Sequence, residues 1–209
     1  MPFIEYFYSA HSGYAYIGSA HFMAIAKARG RRIVHKPMDL RRVVATTGPG
    51  ATNSLTPQRR AYFSGREIQR WAQFRNSPVV TGMPIHHDNE IATSNGMLIA
   101  ALAQGHDIDQ LAHALLQAHW RDHANLANPQ TLAELGDAVR LDGRALVDAA
   151  HAADVQAQYQ ANTEEAIRRS VFGSPTYFVD GDMFYGQDHL EVVDRACVQA
   201  FAGQWPPLD

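Results

Sequence analysis

The segment from Phe172 to Leu190 constrains this chain most: Phe-Gly-Ser-Pro-Thr-Tyr-Phe-Val-Asp-Gly-Asp-Met-Phe-Tyr-Gly-Gln-Asp-His-Leu. Pro175 has no N–H to give a ladder, so it suits the first position of a strand. Ser174-Pro175 is also a bond at which a cis peptide is tolerated. Asp180-Gly181, set between two short apolar runs, predicts a two-residue hairpin turn. Gln187-Asp188 then puts acceptor side chains where a helix begins. The order is strand, tight turn, strand, helix. A cis bond before Pro175 would leave the Ser174 backbone turned outward, able to pair with an extended ligand. Spacing alone fits an ordinary hairpin equally well.

The start of the chain has a complementary pattern. Pro2 to Ala10 is aromatic-rich and loosely alternating, as a strand is. His11-Ser12-Gly13 breaks it. From Tyr14 the apolar residues recur at helical spacing until Gly30, and Ile33 to Met38 reads as a second strand. This is a β-α-β unit, right-handed if its strands are parallel. The middle is different. Gly48-Pro49-Gly50 opens a loop through Asn53. Helical periodicity then runs over 57–74, 92–104, 108–123, 132–141, 144–150 and 155–169, separated by turn residues such as Asn128-Pro129 and Asp142-Gly143. A β-α-β start, a helical middle and a β-β-α end predict an α/β fold: one domain of residues 1–40 and 171–209, with 41–170 inserted as an all-helical part.

Composition narrows the function classes. A chain of 209 residues can bury a substantial core as one large domain. A net charge of −3 gives no footprint for nucleic acid. The small basic runs Arg29, Arg31, Arg32 and Arg41, Arg42 read as the solvated ends of the second strand. No apolar stretch reaches the ~18 residues of a transmembrane helix, and no signal-peptide pattern opens the chain. A single cysteine, Cys197, cannot close an intrachain disulfide, and it falls among apolar positions of the last helix as a small buried residue. A soluble, cytoplasmic enzyme is the expectation. His119 and His123 share an i, i+4 spacing and His86-His87-Asp88 is a local cluster, but neither has a full ligand set, so both read as solvated and no metal is expected.

Val171-Phe172-Gly173-Ser174-Pro175-Thr176 followed by Gly186-Gln187-Asp188-His189-Leu190 resembles the C-terminal signature of 2-hydroxychromene-2-carboxylate isomerases and kappa-class glutathione transferases. These are DsbA-like members of the thioredoxin fold. The likeness extends to the beginning of the chain and to Gln69-Arg70-Trp71-Ala72. It implies a thioredoxin-like domain with a large helical insertion, glutathione as cofactor, a conjugated aromatic substrate and a homodimer. Redox thioredoxins carry Cys-x-x-Cys at the first strand-to-helix corner, whereas this chain has Ser12-Gly13-Tyr14-Ala15, which excludes dithiol chemistry there. Ser12 suits a helix N-cap, and the same place favours an anion. The resemblance gives its hydroxyl to the glutathione sulfur. It gives Asn53, Ser174, Tyr185, Gly186, Gln187 and Asp188 to the rest of the tripeptide, Asp188 holding its ammonium. Counting back from Gln69 places Ser54, rather than Asn53, in the family's asparagine position. The family usually has proline after the serine, so Gly13 is a departure that loosens the helix start. His11 is a second departure and reads as solvated. The implied activity is a reversible thiol-assisted isomerisation; the alternatives are a kappa-like transferase that consumes glutathione and a non-catalytic module that binds glutathione or a peptide.

Overall fold

The computed structural model describes residues 1–48, 56–203 and 205. A four-stranded sheet in the order β2-β1-β3-β4 is built from β1 (Phe3–Tyr8), β2 (Arg32–Pro37), β3 (Thr176–Val179) and β4 (Asp182–Tyr185). β1 is central. It pairs in parallel with β2, Phe3 opposite Arg32, and antiparallel with β3, Ile4 opposite Val179. Alternation along the strands feeds two cores, as a sheet covered on both faces requires. Ile4, Tyr6 and Tyr8 join Tyr177 and Val179 in the larger one, while Phe7 and Phe178 join Met38, Val43 and Ala166 in the smaller. Asp180 and Gly181 both have positive φ, 51° and 94°, as the predicted hairpin turn between β3 and β4 requires.

The helices cover both faces. α1 (Gly13–Ala28) is capped by Ser12, whose side chain accepts from the Ala15 N–H, and it closes at Gly30 with φ 61°. α2 (Leu40–Thr47) is short and was not foreseen: Asp39 caps it by accepting from Arg42 N–H at 3.1 Å, and Val43 is its one buried residue. α3 (Pro57–Ala61) continues through a π-helical turn, Tyr62–Glu67, into α4 (Ile68–Phe74), where a single helix was expected. α5 (Ala92–Ala103), α6 (Asp109–Asp122), α7 (Pro129–Ala138), α8 (Gly143–Ala149) and α9 (Ala153–Arg168) follow. α7 starts at Pro129 rather than Leu132, because Asn128 is a cap that accepts from both Gln130 and Thr131 N–H, at 2.8 and 3.2 Å. A 3₁₀ turn, Gln187–His189, leads into α10 (Leu190–Ala196). Residues of the sheet and of α5 to α9 share one continuous core. Arg31 is not a solvated strand end: its side chain is only 8% exposed and it bonds Asp180 and the Cys197 carbonyl. Cys197 itself is partly buried.

α7 meets α8 through glycine. A Cβ on Gly143 would lie 1.9 Å from the Ala133 carbonyl oxygen, so the two backbones could not stay this close. Gly143→Ala is expected to cost about 1–3 kcal/mol by chemical denaturation, as overpacking does. Gly65→Ala, with no described atom within 4 Å, is expected to leave stability nearly unchanged or slightly raised. Equal stabilities for the two variants would contradict this account of the contact.

Candidate functional site

The pairing of β1 with β3 brings the corner after β1 against the loop before β3. Ser12 Oγ donates to the Ser174 carbonyl at 3.2 Å, across 162 residues of sequence. The Ser174–Pro175 bond is cis. Ser12 and Ser174 are 6% and 7% exposed. The hydroxyl also accepts from Ala15 N–H at 3.3 Å, so Ser12 is a genuine helix cap whatever else it does. The loop around Ser174 is held by its own backbone. Gly173 O accepts from Thr176 Oγ1 at 3.0 Å and Pro175 O from Gly186 N–H at 2.9 Å. Such a loop is pre-organised before any ligand arrives.

Beyond the loop lie the other residues expected from sequence. Tyr185 is 41% exposed, packs its ring on Phe172 at 4.6 Å and leaves no room for a Cβ on Gly173. Burial and the Asp188 charge raise its phenol pKa. Gly186 has φ 96°, and a Cβ there would lie 2.3 Å from Asp188 Oδ1, so glycine is required. Asp188 caps nothing: neither the 3₁₀ turn nor α10 has a side-chain cap. Among the described residues its half-exposed carboxylate meets only His189 Nδ1, at 3.6 Å. Gln187 faces inward, 1% exposed, with Oε1 bonded to Arg75 Nε at 3.2 Å and Nε2 without a partner among the described residues. Asn53 and Ser54 lie outside the described residues. On the other side of Ser12, Tyr14 donates from its hydroxyl to the Phe63 carbonyl at 2.7 Å. That bond ties the start of α1 to the π-helical turn, whose Tyr62 and Phe63 rings stand about half-exposed beside it.

Gly13 and His11, the two departures, have a common physical cause. A Cβ on Gly13 would lie 2.7 Å from Trp120 Cζ2, so the helix start is not loose; it is filled from α6. Proline could not stand there without displacing the indole. Trp120 Nε1 donates to the His11 carbonyl at 2.7 Å. His11 is not solvated but 6% exposed, its Nδ1 2.9 Å from Ser9 Oγ. Its ring lies 5.0 Å from His87 and 6.5 Å from His119. His119, read as solvated, is 1% exposed, and its Nε2 is 3.1 Å from His87 Nδ1. Three imidazoles thus gather beside Ser12. Burial lowers the pKa of all three, that of His11 well below the ordinary value with His87, His119 and Arg41 adding to it. Among the described residues no group of His, Cys, Asp or Glu could hold a metal ion. The sequence held no signal for this cluster, whose members come from three separate segments.

A cavity of about 900 Å³ lies elsewhere, between the far half of α1 and the segment joining α5 to α6. A smaller one of about 490 Å³ lies between the π-helical region and Gly82-Met83, lined by Pro57, Ala61, Ser64 and Gly65.

The DSBA-like thioredoxin domain matches residues 3–197 of the chain. A 2-hydroxychromene-2-carboxylate isomerase of Sphingobium xenophagum is 23% identical over 194 residues, 91% of this chain and 95% of the relative. A solved 2-hydroxychromene-2-carboxylate isomerase superposes with a TM-score of 0.77 at 22% identity, over 94% of this chain and 95% of its own. The cytosolic disulfide reductase DsbM of Pseudomonas aeruginosa, solved with GSH, superposes with a TM-score of 0.62 at 19% identity, covering 94% and 93%. Among the described residues no helix is long and apolar enough to cross a membrane.

The histidine cluster makes stability depend on pH. Burial, with His119 and Arg41 beside it, lowers the pKa of His87 to about 4. An unfolded histidine titrates near 6.5. Between those values the unfolded chain binds a proton that the folded chain does not, so folding stability falls as pH drops from about 6.5 toward 4 and is unaffected above. The slope is about 1.4 kcal/mol per pH unit for each such histidine. Urea denaturation of the wild type and His87→Asn at pH 7 and pH 5 is expected to show the smaller loss in the variant. Parallel losses would mean that His87 is not held neutral by the fold.

Proposed function

This chain belongs to the DsbA-like thioredoxin family, and we propose that within it the chain is a glutathione-dependent isomerase of the 2-hydroxychromene-2-carboxylate type. The observation that carries this reading is the hydroxyl of Ser12, buried at the N-terminus of a 16-residue helix and bonded to the Ser174 carbonyl beside a cis-proline. Where redox members of the fold form a disulfide, this corner has a donor and a helix dipole but no sulfur of its own. That combination suits a thiolate brought by a ligand. Curated relatives spanning nearly the whole chain are named as that isomerase.

The residues fit a tripeptide thiol. The Ser174 backbone offers a short ladder edge, Tyr185 a flat wall and Asp188 a carboxylate with bonding capacity to spare. Gln187 is held from within the fold, its Oε1 and its backbone carbonyl both accepting from Arg75, so its part in this arrangement is to fix the start of the 3₁₀ turn. Glutathione, if held by these residues, would supply a thiolate for reversible addition to the conjugated substrate. The Ser12 O–H, which donates to the Ser174 carbonyl, would be the group to donate to that sulfur and favour the ionised thiol. Its lone pair stays on Ala15 N–H, so the helix cap survives the switch. Tyr62 and Phe63, held beside Tyr14, offer apolar surface to the aromatic part of the substrate.

Ser12→Ala is expected to keep the fold and lose turnover by roughly 10²–10³, as when one charge-stabilising donor is removed. The assay is isomerisation of 2-hydroxychromene-2-carboxylate with free thiol measured alongside. Thiol consumed in step with turnover would make the chain a transferase of the kappa kind. Near-normal kcat in folded Ser12→Ala would refute the assignment.

Asp188→Asn separates binding from chemistry. The carboxylate caps no helix, so the variant has no structural role to lose. Glutathione affinity is expected to fall on the order of tenfold to a hundredfold, the worth of a charge-assisted bond, with a smaller fall in kcat at saturating glutathione. Calorimetric titration beside steady-state kinetics reads both, and unchanged affinity would move the ammonium site away from Asp188.

A further inference from the structure

Three imidazoles beside Ser12 have no part in the function proposed so far, and their hydrogen bonds fix which nitrogens carry protons. Asn95 Nδ2 donates to Ser9 Oγ at 3.0 Å, its orientation set by the bond from Ala10 N–H to Asn95 Oδ1, also 3.0 Å. The Ser9 hydroxyl is fully buried, and its one acceptor among the described residues is His11 Nδ1. A buried hydroxyl donates where it can, so His11 carries its proton on Nε2. At the other end, His119 Nδ1 lies 3.0 Å from the Ala124 carbonyl and must be the protonated nitrogen. Its Nε2 therefore accepts from His87 Nδ1–H, and His87 Nε2 is left as a bare lone pair. Neither outer nitrogen has a partner among the described residues. Two imidazoles with ring centres 5.0 Å apart thus present one donor, His11 Nε2–H, and one acceptor, His87 Nε2.

We propose that His11 and His87 form a subsite for an α-hydroxycarboxylate, with His11 donating to a carboxylate oxygen and His87 accepting from the hydroxyl. The choice of ligand rests on the isomerase reading, since 2-hydroxychromene-2-carboxylate bears both groups on one carbon. The surroundings suit an anion. Arg41 Nη2 donates to the carbonyls of His87 and Asn89 at 2.9 and 2.8 Å, which fixes the loop and sets a cation near both imidazoles. Asp88 opposes it next to His87, while His86 and His123 face His119. The arrangement also assigns a proton path for ring opening. His87 Nε2 takes the hydroxyl proton of the cyclic hemiketal as the carbon–oxygen pair becomes a carbonyl. The bond to the ring oxygen breaks, its electrons stay on that oxygen, and the His87 imidazolium returns the proton there. No electron is gained or lost, and the imidazole ends neutral. Burial makes that imidazolium acidic, which favours the return.

Asparagine keeps the inner bond at each position and deletes the outer nitrogen. In His87→Asn the amide still donates to His119, and in His11→Asn the side-chain oxygen still accepts from Ser9. The full chain, ¹⁵N-labelled at histidine and free of glutathione, is titrated with mandelate, an aromatic α-hydroxycarboxylate, and with phenylacetate, which lacks the hydroxyl. Mandelate is expected to shift the Nε2 signals of His11 and His87 and to bind about tenfold more tightly than phenylacetate, the worth of one added hydrogen bond. Each variant is expected to lose that margin. Unshifted imidazole signals in the wild type, or equal mandelate affinity in folded variants, would overturn the subsite. In the turnover assay His87→Asn is expected to lose about 10² in kcat with glutathione affinity unchanged. A loss of less than about threefold would overturn the proton path. If the wild type isomerises nothing yet mandelate shifts both imidazoles, the isomerase reading falls and the subsite stands.

Discussion

Strand β1 has two neighbours, and the whole molecule depends on that pairing. β2 lies parallel on one side and follows after one helix; β3 lies antiparallel on the other and comes from the far end of the sequence. This arrangement sets the corner after β1 against the loop before β3, because both lie at the same end of the two antiparallel central strands. The bond from Ser12 to Ser174 is the result, and not the cause. The stacked rings of Tyr8, Tyr6 and Tyr177, at 4.1 and 5.4 Å, show how tightly the central strands are locked. With that core rigid, the hydroxyl and the carbonyl are placed by the sheet and not by flexible loops.

The helices between β2 and β3 are more than a cover. α6 supplies Trp120, which closes the space above Gly13 and holds the His11 carbonyl. It also supplies His119, which fixes His87 through one bond and is fixed in turn by Ala124. One helix thereby packs the corner and holds the His87 ring beside it. Glycine at position 13 is a packing requirement here. A chain with proline there needs a smaller residue facing it.

The sheet, its order along the chain and most helices were legible because they rest on local pattern. Tyr14 to Gly30 has helical spacing and a stop, and Asp180-Gly181 has the backbone freedom a tight turn requires. The site was legible in part. Ser12 and Ser174 stood out because their neighbours were distinctive, and the structure brings them together. His11 and His119 were misread because their burial depends on partners far away in sequence. Asp188 looked like a cap since aspartate before an apolar run usually is one, but a 3₁₀ turn intervenes before α10. α2 was missed because its only signals are Asp39 and one buried valine. The π-helical turn has no sequence signature of its own.

The pairing of β1 also has a consequence for synthesis. A ribosome makes β3 long after β1, so one long edge of the central strand waits without its partner while the helices between are made. Its N–H and C=O groups on that side are the kind that recruit stray strands. The nascent chain must shield an aromatic-rich strand until residue 179 has emerged. Helices α1 to α9 can form in the meantime from local contacts, but the corner at Ser12 cannot close before the last strand arrives. A chain whose synthesis stops short of β3 therefore has no closed corner at Ser12, however well its helices are formed.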